Sequence, residues 1–231
     1  MGDVTFRARV CFHKSSRLRW LSHLEVMRAC ERSVRRASLP YSVTRGFSPK
    51  MKAAFGPALP VGTAGEHEYF DVWLTSYIPA PDVLKRLAGA FPADISPVAV
   101  RYVAEAEPTL TAAITIACYE VGVQRTEAVG SRELSEALSD VVAGGELTVE
   151  HKGKTKVFDL ARALPEEPRV GEKDRGLVVT LTTRIGPEGS LRPEALIHEA
   201  LRRAGHDGGI SSVTRTDLLV EKGTERVRPG E

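Results

Sequence analysis

The chain has 231 residues, of which 42% are hydrophobic and 27% charged, the composition of an ordinary soluble protein. Its cysteines, Cys11, Cys30 and Cys118, are widely spaced, which excludes a disulfide framework, a CxxC zinc site and a cysteine-ligated iron–sulfur cluster. No stretch reaches the roughly 20 apolar residues of a membrane helix. The N-terminus also lacks the apolar core of a signal peptide, so we expect a cytoplasmic protein.

The formal net charge of +2 averages two very different regions. Residues 1–52 carry 12 Lys and Arg against 3 Asp and Glu, a net charge of +9. The remaining residues carry 20 against 27, a net charge of −7. This asymmetry predicts that the N-terminal region faces a polyanion or an acidic partner.

The first half of the chain shows six elements. Residues 4–12 alternate between apolar and polar side chains, which predicts a half-buried strand. Ser22 and Glu25 form the pattern of a capping box at the start of a helix over 22–37, with Leu24, Met27 and Val34 expected on its inner face. Further elements are predicted as strands over 41–44, 68–78 and 95–103 and a helix over 81–91. The order β-α-β-β-α-β is that of a ferredoxin-like fold.

A similar order recurs after a predicted linker at Glu105–Pro108. The second set comprises a strand over 114–123, a helix over 131–142, a hairpin over 146–158, a strand over 177–184, a helix starting at Pro193 and a strand over 213–220. The sequence therefore predicts an α+β protein built from two tandem ferredoxin-like domains with antiparallel sheets, residues 1–106 and 107–231.

The first helix and its flanking loops carry most of the positive charge. Arg28, Arg32, Arg35 and Arg36 share one helix face, and guanidinium groups bind phosphate through two oxygens at once. Trp20 and Phe47 would offer stacking platforms for unpaired bases. The candidate nucleic-acid contacts are Arg17, Arg19, Arg28, Arg32, Arg35, Arg36, Arg45, Phe47, Lys50 and Lys52. Two alternatives remain: an acidic protein surface as the partner, or an ordinary solvated helix face with Trp20 in the core.

His23, next to the helix N-cap, is the candidate catalytic residue for metal-independent RNA cleavage, with His13 as a possible partner. The alternative is a structural histidine, since a helix N-terminus often holds one. No histidine has the spacing of a metal ligand, and neither a Walker A loop nor GxGxxG is present. We therefore expect no metal and no cofactor.

A second basic cluster lies at the tip of the predicted hairpin in the second half. It comprises Lys152, Lys154 and Lys156. Lysines on an exposed hairpin usually protect an edge and increase solubility, and ligand binding is the alternative.

Several short motifs of the first half are distinctive. They are Arg17-Leu-Arg19-Trp-Leu-Ser22-His23-Leu-Glu25, Gly46-Phe47-Ser48-Pro49, Phe55-Gly56-Pro57-x-Leu-Pro60-x-Gly62 and Glu68-Tyr69-Phe-Asp71. Over residues 4–103 the chain resembles the bacterial radical SAM-linked protein family, a domain of unknown function found alone or fused behind a radical S-adenosylmethionine enzyme. Because the chain has no CxxxCxxC, the resemblance implies a stand-alone accessory with a radical SAM enzyme as its partner. Lys50 stands where many members have a histidine, which argues against catalysis by this loop.

The residues and the resemblance together predict a non-catalytic accessory protein that binds RNA and acts with a radical SAM enzyme. One alternative is an endoribonuclease or RNA-modifying enzyme that uses His23; the element order with a basic first helix also resembles CRISPR-repeat-processing endoribonucleases. The other is a scaffold whose basic face docks on the radical SAM enzyme. We expect no membrane association.

Overall fold

The structure, a computed structural model, describes residues 4–125, 130–151, 153–173, 176–186, 189–205 and 209–231. The chain divides into two compact units. The first contains the described residues up to Ile114 together with Asp217–Glu231, and the second contains Thr115–Thr216. This differs from the predicted division at residue 106, because the last strands return to the sheet of the first unit.

The first unit is an antiparallel sheet with two helices on one face. Its elements up to residue 114 are β1 (Phe6–Lys14), a short 3-10 helix (Ser16–Trp20), α1 (His23–Arg36), β2 (Ala53–Phe55), β3 (Ala64–Leu74), α2 (Ala80–Ala88), β4 (Ile95–Val103) and α3 (Leu110–Ala113). β1 lies between β3 and β4 and is antiparallel to both. β2 is antiparallel to β3 on its other edge.

The core of the first unit lies between this sheet and its two long helices. Every second residue of β1, such as Ala8 and Val10, packs there against α1. The predicted helix over 22–37 is confirmed, and its capping box is present, with Ser22 and Glu25 bonded reciprocally. Its predicted inner face is corrected: Leu24 is exposed and Met27 half-buried. The buried residues are Val26, Ala29, Cys30, Ser33 and Val34.

The opposite face of this sheet, on which neither α1 nor α2 packs, is here called the helix-free face; it is polar but buried. Arg7 and Arg9 are 4% and 3% exposed and both bind Asp71, which is fully buried. Arg7 also donates to the backbone oxygens of Glu107 and Pro108. The segment predicted as a linker therefore covers the sheet, because its carbonyl groups satisfy a buried guanidinium.

The second unit also has an antiparallel sheet. Its elements are β5 (Ile116–Val123), α4 (Ser131–Ala143), β6 (Glu146–His151), β7 (Lys154–Asp159), α5 (Leu160–Ala163), β8 (Arg169–Lys173), β9 (Gly176–Gly186), β10 (Gly189–Ser190), α6 (Pro193–Arg203) and β11 (Ile210–Lys222), which continues into the first unit and is followed there by β12 (Glu225–Val227).

In the second unit β5 lies between β9 and β11, and β8 and β10 both pair with β9. The predicted hairpin exists as β6 and β7, but it forms a separate two-stranded sheet. The strand that completes the main sheet is β8, which was not predicted. The predicted α+β class with antiparallel sheets is confirmed. Among the described helices, none has the length and apolar character needed to cross a membrane.

Candidate nucleic-acid interface

The outer face of α1 is an exposed arginine surface. Arg28, Arg32, Arg35 and Arg36 are all exposed. Within the described part of the chain, Arg28, Arg32 and Arg36 form no salt bridge. Arg35 lies 3.6 Å from Glu31 and stacks over the ring of Tyr41 at 6.0 Å. Three of the four guanidinium groups are therefore available to an anionic ligand, and we call these four residues the α1 arginine face.

Helix α6 shows what an ordinary solvated basic face looks like in this protein. Arg202 and Arg203 both bind the carboxylate of Glu199, at 2.8 Å and 2.9 Å. The hydrogen bond from Arg202, supported by Arg203, lowers the pKa of Glu199 to about 2. Both arginines are thus already paired with a carboxylate, as is usual on a solvated helix. On the α1 arginine face, by contrast, three of the four arginines form no salt bridge with any described residue.

A narrow loop of residues 42–52, here called the Phe47 loop, projects beside the C-terminal half of α1, since Arg35 contacts Tyr41 at its base. Backbone hydrogen bonds join Thr44 to Lys50 and Lys52 to Ser42, which hold the two sides of the loop together. The tip carries Arg45, Phe47 and Lys50, all exposed, and the ring of Phe47 is uncovered on every side. An apolar ring at full exposure between two cations is suited to stacking on a base.

Lys52, which was predicted to contact phosphate, is paired with a carboxylate of the chain. Its Nζ lies 3.2 Å from Oε1 of Glu105 and 4.4 Å from the ring of Trp73. Trp73 Nε1 donates to the other oxygen of Glu105 at 2.6 Å. This hydrogen bond, with a smaller contribution from Lys52, lowers the pKa of Glu105. Lys52 therefore attaches the covering segment to the sheet.

Arg17, Arg19 and Trp20 lie on the 3-10 helix just before α1. Trp20 is 61% exposed, so the alternative that placed it in the core is wrong. One face of its ring lies against Gly62, where an added Cβ would approach within 3.0 Å, and the guanidinium of Arg19 lies 5.3 Å from the ring. Arg17 is exposed. Gly62 and Arg19 thus contact the Trp20 ring, while most of the ring faces solvent.

The two candidate catalytic histidines contact different residues. His23 packs edge-on against Phe55 at 6.1 Å and lines a cavity of about 20 Å³ with Lys14 and Glu68. That volume holds about one water molecule and no nucleotide. His13 instead places Nε2 3.3 Å from the carbonyl oxygen of Ala93.

The second basic cluster is only partly described. Lys152 lies outside the described residues. Lys154 is exposed, and Lys156 is half-buried with its Nζ 4.7 Å from the ring of Phe158. Lys156 and Phe158 line an open groove of about 550 Å³ that also contains Arg162 and Arg184. The groove brings cations beside an aromatic ring, an arrangement that fits the alternative of ligand binding.

The structure adds two cations that the prediction missed. Lys85 and Arg86 of α2 are exposed and line, with Arg36, a shallow depression at the end of α1. The sequence held a signal for them, because the inner residues Val83 and Leu87 place 85 and 86 on the outer side of α2. No described group of three or more His, Cys, Asp and Glu side chains is arranged to hold a metal ion.

This fold and surface define an α+β protein with an exposed arginine face on its first helix. The chain belongs to the family described as uncharacterized protein conserved in bacteria (DUF2344), whose model matches residues 7–193. No curated protein matches its sequence significantly.

Three solved structures are similar to this chain. A Cbf5-Nop10-Gar1 complex matches with a TM-score of 0.49 and 12% identity, over 91% of this chain and 48% of that one. An H/ACA RNP bound to a substrate RNA containing 2'-deoxyuridine matches with a TM-score of 0.44 and 12% identity, over 91% and 47%. An unknown protein from Galdieria sulphuraria matches with a TM-score of 0.26 and 13% identity, over 90% and 98%. The chain thus spans about half the length of the first two.

Proposed function

We propose that this chain is a non-catalytic RNA-binding protein that acts as an accessory to a radical SAM enzyme. The observation that carries the RNA proposal is the α1 arginine face, on which Arg28, Arg32 and Arg36 have no carboxylate partner among the described residues. Exposed arginines without partners bind the phosphates of a nucleic-acid backbone through charge and paired hydrogen bonds.

The Phe47 loop favours RNA with unpaired bases over a duplex. Phe47 is fully exposed and stands between Arg45 and Lys50. Stacking of a base on an aromatic ring is worth about 1–3 kcal/mol and needs bases that are free of a duplex. The cations beside it would hold the phosphates that flank the stacked base.

The test is a titration of fluorescently labelled single-stranded RNA of about 20 nucleotides, followed by anisotropy at several salt concentrations. Replacing Arg28, Arg32 and Arg36 together by Ala removes three phosphate contacts. We expect the affinity to fall by roughly tenfold to a hundredfold and the slope of log K against log salt to flatten by about 2. Phe47→Ala is expected to weaken binding about tenfold and to leave the slope unchanged.

The matched control is Arg202→Ala with Arg203→Ala on α6, which removes arginines that already bind Glu199. Binding of RNA should be unchanged in this variant. Equal loss in both variants, or none in the α1 variant, contradicts the proposal. Polyglutamate that competes as well as unlabelled RNA would favour an acidic protein partner instead.

The structure gives the ribonuclease alternative less support. His23 lines a cavity of about 20 Å³, and Lys14 beside it is buried and donates to the backbone oxygens of Arg19 and Leu21. A ribose with its phosphate needs more room than one water molecule. Labelled RNA incubated with the protein in EDTA should stay intact. Cleavage that is abolished by His23→Ala would support the ribonuclease alternative.

The partnership with a radical SAM enzyme is supported by the resemblance of residues 4–103 to the radical SAM-linked family. Co-purification with such an enzyme from the source cell tests it, before and after nuclease treatment. Association that survives the nuclease indicates direct protein contact, and association that is lost indicates a bridge of RNA.

We also propose that both units are variants of the ferredoxin-like fold. The strand order β4-β1-β3-β2 of the first unit and β11-β5-β9-β8 of the second supports this, since each places the first strand between the third and the fourth. The pair β6 and β7 with α5 would then be an insertion. An experimental structure with another strand order would contradict it.

A further inference from the structure

The helix-free face of the first unit contains a cavity of about 250 Å³, here called the arginine cavity. Its walls include Arg9, Cys11, His67, Arg101, Arg228 and Glu231. A volume of this size lies just below the roughly 300–1,000 Å³ of drug-sized ligand sites, so only a small ligand fits. The cavity therefore has room for a small ligand and presents three guanidinium groups to it.

Arg9 is the most unusual wall residue, because it is 97% buried and incompletely bonded. Its Nε and one terminal nitrogen bind the two oxygens of Asp71, at 2.8 Å and 3.0 Å. Its other terminal nitrogen, Nη1, has no hydrogen-bond partner in the part of the chain that the structure describes. Because Arg9 lines the cavity, this nitrogen is available to an oxygen of a bound ligand.

The charge of this region is also incompletely balanced. Arg7 and Arg9 share a single carboxylate, Asp71, so the buried group carries a net positive charge. Arg101 lies directly opposite Arg9 on the neighbouring strand, and like charges in such positions repel one another. Among the described residues, Arg101 forms one ion pair, a long one of 3.4 Å to Glu231. An anion between Arg9 and Arg101 would relieve this repulsion.

The remaining walls do not oppose an anion. Burial raises the pKa of the Cys11 thiol to about 11, and burial also raises the pKa of the Tyr69 hydroxyl that bonds it, so both stay neutral. Arg228 is held by two hydrogen bonds to Asp217, at 2.9 Å and 2.8 Å. The side-chain carboxylate of Glu231, which Arg101 binds, lies where an oxyanion from outside the chain would bind.

We infer that the arginine cavity binds a small phosphate ester, whose phosphate bridges Arg9 and Arg101 in place of Glu231. A tetrahedral phosphate offers oxygens in several directions and so reaches guanidinium groups on two strands, whereas a carboxylate offers two oxygens in one plane. The ester is supplied either by a free mononucleotide or by the phosphorylated end of an RNA strand. This site is separate from the α1 arginine face and stands without the proposed function.

Calorimetric titration of the full chain with inorganic phosphate and with AMP tests the inference. We expect both to bind, and Arg101→Gln to weaken binding at least about tenfold. The matched control is Arg202→Gln, which removes an exposed arginine of α6 that does not line the cavity. It should leave binding unchanged. Arg101 is exposed enough for its variant to fold, and an unchanged circular dichroism spectrum confirms that it does.

Comparison of 5'-phosphorylated with 5'-hydroxyl RNA in the same assay distinguishes the two sources. A preference for the phosphorylated strand that Arg101→Gln removes indicates an RNA end, and binding of AMP without such a preference indicates a free nucleotide. No binding of phosphate or AMP up to about 10 mM, or equal loss in Arg101→Gln and Arg202→Gln, overturns the inference. Loss of RNA binding in the α1 variant alone leaves it intact.

Discussion

Two sets of arginines within the first 36 residues have opposite surroundings. Arg7 and Arg9 of β1 are buried on the helix-free face, where one carboxylate and two backbone carbonyls bind them. Arg28, Arg32 and Arg36 of α1 are exposed and lack any salt bridge within the described chain. All five contribute equally to the charge of the N-terminal region.

The difference shows that a net charge counted along a sequence is not a charge on a surface. Of the cations in residues 1–52, Arg7, Arg9 and Lys14 are buried and Lys52 binds Glu105. The basic surface is therefore smaller than +9 suggests. It is also better defined, since the cations that remain exposed lie on one helix, the 3-10 helix before it and the Phe47 loop.

The largest loss of stability is expected for Asp71→Ala, which removes the carboxylate that Arg7 and Arg9 share. Two buried guanidinium groups would be left without a counter-charge, so we expect the free energy of unfolding to fall by about 3–5 kcal/mol. Urea denaturation measures this. Glu31→Ala is the control, because it breaks the more exposed pair with Arg35, a pair worth about 0–1 kcal/mol. Similar losses in both variants would contradict the structural role of Asp71.

The sequence predicted the helices and most strands, because each has a strong local pattern. The Ser22 and Glu25 capping box located the start of α1, and the alternation of residues 4–12 located β1. Local patterns carry no information about what covers the second face of a sheet. Arg7 and Arg9 alternate with apolar residues as solvent-facing residues do, and only the distant segment at Glu107 and Pro108 buries them.

The candidate site was predictable to the extent that it lies on single elements. The arginines of α1 follow helical spacing, so their common face was visible in the sequence. The ion pair between Lys52 and Glu105 joins residues 53 positions apart, so it was not visible in the sequence. The arginine cavity is still less visible, since β1, β3, β4 and the segment after β12 each contribute to its walls.

A smaller loss of stability is expected for Ser22→Ala at the start of α1. Ser22 Oγ accepts the backbone N–H of Glu25, and Glu25 in turn accepts the N–H of Ser22. Losing a serine N-cap costs about 1 kcal/mol, which urea denaturation resolves. RNA affinity should change much less than in the arginine variants. A loss of affinity as large as theirs would show that the first turn of α1, rather than its arginines, makes the contact.

A dependence on pH is expected where Glu105 attaches the covering segment. The hydrogen bond from Trp73, aided by Lys52, lowers the pKa of Glu105 in the folded protein. A lowered folded pKa means that the stabilisation is fully present above the ordinary pKa of about 4.5 and is lost as the pH falls through the folded value. The free energy of unfolding, measured at pH 6 and at a lower pH, should therefore differ less between the two pH values in Glu105→Gln than in the unmodified chain. Parallel behaviour of the two proteins would contradict this attachment.

The smallest effect on stability per residue is expected where the effect on RNA binding is largest, at Arg28, Arg32 and Arg36. Each is exposed and unpaired within the described chain, and Ala is a better helix former than Arg. Replacing all three by Ala should therefore change the free energy of unfolding by no more than about 0.5 kcal/mol per site, measured in urea beside Asp71→Ala. A total loss near 3 kcal/mol would place these arginines with Arg7 and Arg9 as structural residues. If stability is retained while RNA affinity falls, the two sets of arginines have different roles. The exposed arginines of α1 then bind a ligand, whereas Arg7 and Arg9 stabilise the fold.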